Sequence, residues 1–183
     1  MPHIHTGLGQ YDLTASAIII RTDFSNPKIF LHKHLLSGKW AQPGGHVELD
    51  ESPWSAVLHE VAEESGYVTG QLRVLQSQNR IKNLGRDAIL LPQPVCVMAY
   101  ELAAHKDHFH SDMVYAFIAS SEPKRKLEDD ESAETDYFDR SELVALPDEV
   151  IPDNVRNVAI FVLDECFPHW EAIDADDFRL SAR

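Results

Sequence analysis

The sequence predicts an α/β fold in which helices pack against a mixed β-sheet. Short apolar runs indicate strands on both sides of a central amphipathic helix, and a second amphipathic segment begins near residue 152. The 183 residues and their 44% hydrophobic content suit one compact domain, residues 1–183. No internal repeat or low-complexity tract divides the chain.

Two strands are expected before the central helix. The run "TASAIIIR" at residues 14–21 predicts a buried strand, and "KIFLHKH" at residues 28–34 predicts a second. The intervening "FSNP" is typical of a turn. Residues 35–48 contain several glycines and a proline, so we expect a loop followed by extended chain.

The central helix has clear start and stop signals. Ser52 is a favourable N-cap, and Pro53 fits the first helical position. The helix is expected to run to about Ser65, where Gly66 supplies the left-handed stop. One broad apolar face should pack on the sheet and consists of Trp54, Val57, Leu58, Val61 and Ala62.

The second half of the chain repeats the pattern of strands followed by a helix. Strands are predicted at residues 71–81, 94–102, 113–120 and 134–139, with a charged exposed loop at 121–132. Residues 152–167 predict a helix, because Val155, Val158, Val162 and Cys166 recur at helical spacing. The polar residues 171–183 are expected to form a loosely held tail.

Composition restricts the partners and the compartment. The net charge of −14 argues against binding to nucleic acid polymers and anionic membranes, which attract Lys and Arg. No apolar run approaches the ~20 residues of a membrane span, and no secretory signal is visible. Cys96 and Cys166 lack CxxC spacing, so free thiols and a cytoplasmic location are expected, with a disulfide between them as the alternative. A small phosphorylated ligand remains compatible with this charge if a metal ion or local cations bind it.

Three glutamates crowd one edge of the central helix. Glu60, Glu63 and Glu64 fall beside its apolar face, and His59 can reach Glu63 at i,i+4 spacing. Carboxylates are ionised at neutral pH, so three of them form a hard oxygen site that suits Mg²⁺ or Mn²⁺. The alternative is an ordinary solvated acidic face.

The spacing around these glutamates is more specific than the triplet itself. The series Gly45, Glu51, Glu60, Val61, Glu63, Glu64 and Gly66, preceded by a Trp-x-x-Pro-Gly-Gly segment at residues 40–45, resembles the box of the Nudix hydrolases. The resemblance implies an α/β/α sandwich over about residues 10–167. It also implies Mg²⁺- or Mn²⁺-dependent hydrolysis of the diphosphate linkage of a nucleoside diphosphate derivative.

The resemblance assigns roles to particular residues. Glu60, Glu63 and Glu64 would bind the metal together with the backbone of Gly45, and Glu64 would be the most important of them. Gly44 and Glu51 would support that site. Glu60, Glu64 and Glu131 are the catalytic candidates. Glu134 is a second candidate for the general base, and Glu64 serving both tasks is another option.

Two positions depart from the Nudix pattern. His59 replaces an Arg that helps to hold a catalytic glutamate in the family, and Tyr67 replaces a residue that is usually aliphatic. Histidine is shorter than arginine and its charge depends on pH. We expect His59 to perform part of the arginine's role beside Glu63, and we interpret Tyr67 as a packing variation.

Further candidates lie outside the box. His105, His108, His110 and Asp112 could form a zinc site, although their spacing fits no common structural zinc pattern and a turn before a strand is the simpler interpretation. His32 and His34 share one face of a strand. The cations considered as substrate contacts are Arg21, Lys33, Lys39, Arg80, Lys82 and Arg86.

Other functions remain open at this level. A non-catalytic nucleotide-binding or sensor domain would keep the fold, and an isoprenyl-diphosphate isomerase is a weaker alternative because Cys96 has no evident equivalent role. The expected partner is a small nucleotide-type substrate whose identity the sequence does not define. A homodimer is compatible with the sequence.

Overall fold

A computed structural model describes residues 6–101, 107–127 and 134–178 of the chain. The strands in this part are β1 (Tyr11–Arg21), β2 (Lys28–Lys33), β3 (Trp40–Ala41), β4 (Gly44–His46), β5 (Arg73–Gln76), β6 (Cys96–Glu101), β7 (Phe109–Ala119), β8 (Thr135–Phe138) and β9 (Glu171–Asp174). The α-helices are α1 (Pro53–Glu64), α2 (Arg140–Ala145), α3 (Asp153–Phe161) and α4 (Phe167–His169). A π-helical turn, Val162–Cys166, joins α3 to α4.

The strands form a mixed sheet, which confirms the predicted fold class. Its main path runs β3-β2-β1-β7-β5-β9, while β4, β6 and β8 pair with β1, β7 and β2 respectively. Strands β1 and β7 are parallel over their full length, from Tyr11 opposite Phe109 to Arg21 opposite Ala119. The other pairings are antiparallel. The long parallel pair forms the centre of the sheet.

Alternating residues of β1 build two core layers. Ala15, Ala17 and Ile19 face α1 and pack with its residues, including Trp54. Ile18 and Ile20 face the opposite side and pack with residues of α3. Because successive side chains of a strand point to opposite faces, a fully apolar run indicates burial on both sides. Helices therefore cover both faces of the sheet, as the sequence predicts.

The central helix begins and ends where the sequence indicates. The Ser52 hydroxyl accepts a hydrogen bond from the Ser55 N–H at 3.1 Å, and Pro53 occupies the first helical position. Gly66 follows the helix with a φ of 74°. A Cβ at Gly66 would also collide with the carbonyl oxygen of Arg125. Both the backbone angle and the space therefore require glycine here.

Two of the differences from the predicted structure involve β5. The strand expected at residues 71–81 ends at Gln76, where the side chain exchanges hydrogen bonds of 2.8 and 3.0 Å with the backbone of Gln93. Part of the expected loose tail forms β9, which pairs with β5. Ala172 and Ile173 of β9 each pack against one core layer, so two apolar residues anchor a polar segment.

Among the described residues, no helix combines the length and the apolar character that crossing a membrane requires.

Candidate active site

Strand β4 and helix α1 bring Gly44 and Gly45 against two of the glutamates. The Gly44 N–H donates a 2.8 Å hydrogen bond to Oε2 of Glu64. The carboxylate of Glu60 fills the space that a Cβ at Gly45 would need. Because Glu60 and Glu64 are four residues apart, they project from the same side of α1. Two carboxylates and the backbone of the glycine pair therefore meet at one place.

His32 lies beside Glu64. Its Nε2 is 3.5 Å from Oε2 of Glu64, and the residue is 2% exposed. Burial, with a smaller effect from nearby His34, lowers the pKa of His32 to about 4. The imidazole is therefore neutral at pH 7. Of the two histidines predicted to share a strand face, His32 is the one that contacts the glutamates.

Glu63 has different neighbours from Glu60 and Glu64. Its Oε1 is 3.0 Å from Nε2 of His59, and Nδ1 of His59 is 3.5 Å from Oε1 of Glu51. Partial burial lowers the pKa of His59, but the charge and hydrogen bond of Glu63 and the charge of Glu51 raise it above its ordinary value of 6.5 overall. The predicted contact between His59 and Glu63 is confirmed, and it extends to Glu51.

A buried hydrogen-bond network connects this region to β7. Asp112 is 1% exposed and accepts hydrogen bonds from Thr14 Oγ1 at 3.1 Å and Ser16 Oγ at 2.7 Å. Gln42 donates to the Ser16 hydroxyl at 3.3 Å, and Ser16 is paired with Gly44 in the sheet. Burial raises the pKa of Asp112 above its ordinary value of 3.8, although the two hydrogen bonds oppose this effect.

A histidine cluster occupies the neighbouring end of the sheet. One ring nitrogen from each of His46, His108 and His110 can be chosen so that all lie within 4.8 Å of one another. Oδ2 of Asp12 is 3.5 Å from Nε2 of His46 and 3.3 Å from Nε2 of His108. Burial and the two neighbouring histidines lower the pKa of His110 to about 4.

The predicted zinc residues do not come together as a set. Asp112 accepts hydrogen bonds from hydroxyls of β1, whereas His108 and His110 contact each other and lie beside Asp12 and His46. His105 lies outside the described residues. Sequence spacing missed Asp12 and His46 because neither is near the histidine-rich segment. Two strand pairings bring these residues together: the parallel pairing of β1 with β7 sets Asp12 opposite His110, and the pairing of β4 with β1 sets His46 opposite Thr14.

Of the two general-base candidates, Glu134 is among the described residues. Glu131 lies outside the described residues, so its catalytic role stays a prediction. Glu134 accepts a 2.5 Å hydrogen bond from the ammonium group of Lys33. The described structure thus pairs one candidate base with one candidate substrate cation.

Arg21, one of the six cations considered as substrate contacts, is a buried residue with several partners inside the fold. It is 1% exposed, and its guanidinium donates to Asp23 at 2.6 and 2.7 Å and to Glu122 at 3.0 Å. Its Nη1 also donates to the hydroxyls of Tyr67 and Tyr137, each at 2.9 Å. The unusual tyrosine at position 67 therefore satisfies a buried cation, which an aliphatic residue could not do.

Comparisons with known proteins identify the family of this chain. The family model for the NUDIX domain matches residues 12–159. A Lactococcus lactis protein named "Probable DHNTP pyrophosphohydrolase" is 35% identical over 69 residues, which are 38% of this chain and 39% of that protein. The match thus spans about two fifths of the curated relative's length.

Solved structures share the fold over most of the chain. A NUDIX-family hydrolase from Clostridium perfringens superposes with a TM-score of 0.67 at 26% identity, covering 85% of this chain and 97% of that chain. A NUDIX hydrolase from Nitrosomonas europaea gives a TM-score of 0.59 at 20% identity, covering 93% of this chain and 97% of that chain.

Proposed function

The chain belongs to the Nudix family, and on that premise we propose that it is a Mg²⁺- or Mn²⁺-dependent pyrophosphohydrolase of a nucleoside diphosphate derivative. The observation that carries this proposal is the meeting of Glu60 and Glu64 with the Gly44–Gly45 backbone. Hard divalent cations prefer such carboxylate and carbonyl oxygens. The free thiols of Cys96 and Cys166 are compatible with the cytoplasm, which we propose as its compartment.

The donor set fits a cation of this kind. A carboxylate offers roughly four lone-pair sites, and the Gly44 N–H uses one of those on Glu64. Glu60, Glu64 and the Gly45 carbonyl are the proposed ligands, with Glu63 contributing from the outer side. When bound, the cation would neutralise phosphoryl oxygens and favour deprotonation of an attacking water.

The protein's own residues would prepare this chemistry. The hydrogen bond from Gly44 holds Glu64 in one position, so its carboxylate is ready to orient or deprotonate a water. His32, whose Nε2 lies 3.5 Å from Oε2 of Glu64, is neutral because burial lowers its pKa to about 4, so it adds no positive charge beside that carboxylate. His59 fixes Glu63 and Glu51 by its two ring nitrogens. Glu131 remains the alternative base.

The substrate class is best tested directly. Purified protein should be incubated with Mg²⁺ or Mn²⁺ and a panel of nucleoside triphosphates, nucleotide sugars, dinucleotides and dihydroneopterin triphosphate, the last because of the name of the Lactococcus relative. Mass spectrometry of the products would locate the cleaved bond. Release that depends on the metal and falls more than ~100-fold in Glu64→Gln supports the proposal.

A matched control separates the loss of a catalytic carboxylate from the general effect of removing one negative charge. Glu149→Gln removes the same charge at an exposed position and should leave turnover unchanged. Glu131→Gln distinguishes the two candidate bases: a large loss of kcat would favour Glu131, and little change would favour Glu64. Tight binding of the panel without any turnover would instead identify a non-catalytic binding domain and overturn the proposal.

A further inference from the structure

We propose that His46, His108 and His110, with Asp12 beside them, form a second metal site that takes a transition-metal ion of the Zn²⁺ class. This site is separate from the glutamates of α1 and uses different donor atoms. Its residues come from three strands, since Asp12 lies on β1, His46 on β4, and His110 on β7. His108 immediately precedes β7.

The distances between donor atoms match the edges of a tetrahedral site. With a metal–nitrogen length of about 2.0–2.1 Å, neighbouring ligands of a tetrahedral zinc lie about 3.3 Å apart. The Nε2 atoms of His108 and His110 are 3.2 Å apart. Oδ2 of Asp12 is 3.3 Å from Nε2 of His108 and 3.5 Å from Nε2 of His46. A small ion could thus touch several of these atoms at once.

The buried carboxylate of Asp12 is a second, independent observation. Asp12 is 2% exposed, and neither of its oxygens accepts a hydrogen bond from the residues that the structure describes. An ionised carboxylate buried in this way is costly unless a positive charge is close. A divalent ion among the three imidazoles would supply that charge.

The chemistry of the donors selects the type of ion. Imidazole nitrogen suits Zn²⁺ and neighbouring transition metals, whereas Mg²⁺ prefers an oxygen shell. His108 and His110 are 6% and 7% exposed, so they are buried polar rings within a small volume. Three such rings beside a carboxylate are the composition expected of a metal site. Buried imidazoles are an unusual choice for core packing, because apolar side chains could fill the same space without the free-energy cost of burying polar groups.

The alternative is a cluster of histidines joined only by hydrogen bonds. The Nε2–Nε2 contact of His108 and His110 allows this if one ring is protonated on that nitrogen. Such a network provides no donor for Asp12 Oδ1 among the described residues. The metal site accounts for both the ring positions and the carboxylate.

The position of the site suggests what the ion does. Thr14 pairs with His46 and Ser16 pairs with Gly44, so the ion would bind β4 two residues from the hydrogen bond to Glu64. Joining β1, β4 and β7 at this point would fix the glycine pair against the glutamates. We therefore assign the ion a structural role that positions the active site.

Zinc titration tests the site directly. Tag-free protein, stripped with a chelator and dialysed into excess Mg²⁺, would be titrated with Zn²⁺ and its bound zinc measured by equilibrium dialysis and elemental analysis. A single tight zinc ion per chain is expected. The variant His108→Gln/His110→Gln should bind it more than ~10-fold more weakly. The control His169→Gln changes an exposed histidine and should bind like the wild type.

Further variants separate this site from the glutamates. Glu60→Gln/Glu64→Gln should keep its zinc, because the imidazoles remain. Equal zinc binding by the wild type and the double histidine variant, or loss of zinc in the glutamate variant, would overturn the proposal. Circular dichroism reports whether the variants fold. If the histidine variant does not fold, Co²⁺ titration of the wild type decides, since the absence of the visible bands of tetrahedral cobalt refutes the site.

Discussion

The buried contact between Tyr67 and Arg21 gives a quantitative prediction for Tyr67→Phe. Tyr67 and Arg21 are 0% and 1% exposed, and the tyrosine hydroxyl accepts a 2.9 Å hydrogen bond from Nη1 of Arg21. Phenylalanine keeps the ring but removes the acceptor. The second hydrogen on Nη1 keeps its bond to Tyr137, so the substitution leaves a single N–H of a buried guanidinium without this partner.

The expected cost follows from this geometry. A hydrogen bond to a charged group contributes about 1.5–3 kcal/mol, and an unsatisfied buried donor loses that contribution. Tyr67→Phe should therefore lower the free energy of unfolding by about 2 kcal/mol. For a domain of 150–250 residues, that loss corresponds to a Tm lower by about 4–8 °C.

Urea unfolding and calorimetry would measure both quantities. Tyr11→Phe is the matched control, because Tyr11 is 56% exposed and the same change there should stay within about 0.5 kcal/mol. In a double-mutant cycle, Tyr67→Phe and Tyr137→Phe should be non-additive, since both hydroxyls bind Nη1 of Arg21. A change below about 0.5 kcal/mol for Tyr67→Phe would refute the structural role of the hydroxyl.

Three further predictions concern the candidate active site. Gly44→Ala should cost about 1–3 kcal/mol, because its Cβ would lie 2.5 Å from Cβ of Ser16; an unchanged calorimetric Tm would contradict this packing. The folded state binds the proton of Asp112 more tightly than the unfolded chain, since its pKa is raised. The free energy of unfolding of the wild type, measured in urea, should thus fall relative to that of Asp112→Asn as pH rises from 3.8 through the raised pKa of Asp112. The same pH dependence of stability in both proteins would contradict this prediction. His59→Ala should lower kcat/KM by about 10–100-fold. It should also abolish the decrease in wild-type activity that we expect as pH rises through the raised pKa of His59. If the pH profile of the variant equals that of the wild type, His59 has no role beside Glu63.

Local signals predicted the helix and much of its site. Ser52, Pro53 and Gly66 define the ends of α1 through hydrogen bonds and backbone angles that involve near neighbours in sequence. The contact between His59 and Glu63 follows from the i,i+4 geometry of any helix. These features need no knowledge of the rest of the chain, so the sequence is sufficient for them.

Features that depend on strand register could not be predicted in the same way. Asp12 and His110 are almost one hundred positions apart, and they meet because β1 and β7 are parallel in a particular register. A shift by one residue would turn each side chain to the opposite face of the sheet. The contact of Arg21 with Tyr67 likewise joins β1 to the end of α1. The sequence shows the residue types but not these pairings.

The arrangement of the glutamates shows how α1 accommodates its negative charge. Glu64 accepts the Gly44 N–H, Glu63 contacts His59, and Glu60 lies against Gly45. Repulsion between like charges at helical spacing costs only a few tenths of a kcal/mol per pair, whereas a hydrogen bond to a charged group contributes about 1.5–3 kcal/mol. The stabilisation from the hydrogen bond to Glu64 alone is larger than the cost of the repulsion between the glutamates. On these magnitudes, α1 does not require a cation in order to fold. The binding energy of a cation at Glu60 and Glu64 is then available for a phosphorylated substrate, which is the use that the proposed hydrolysis requires.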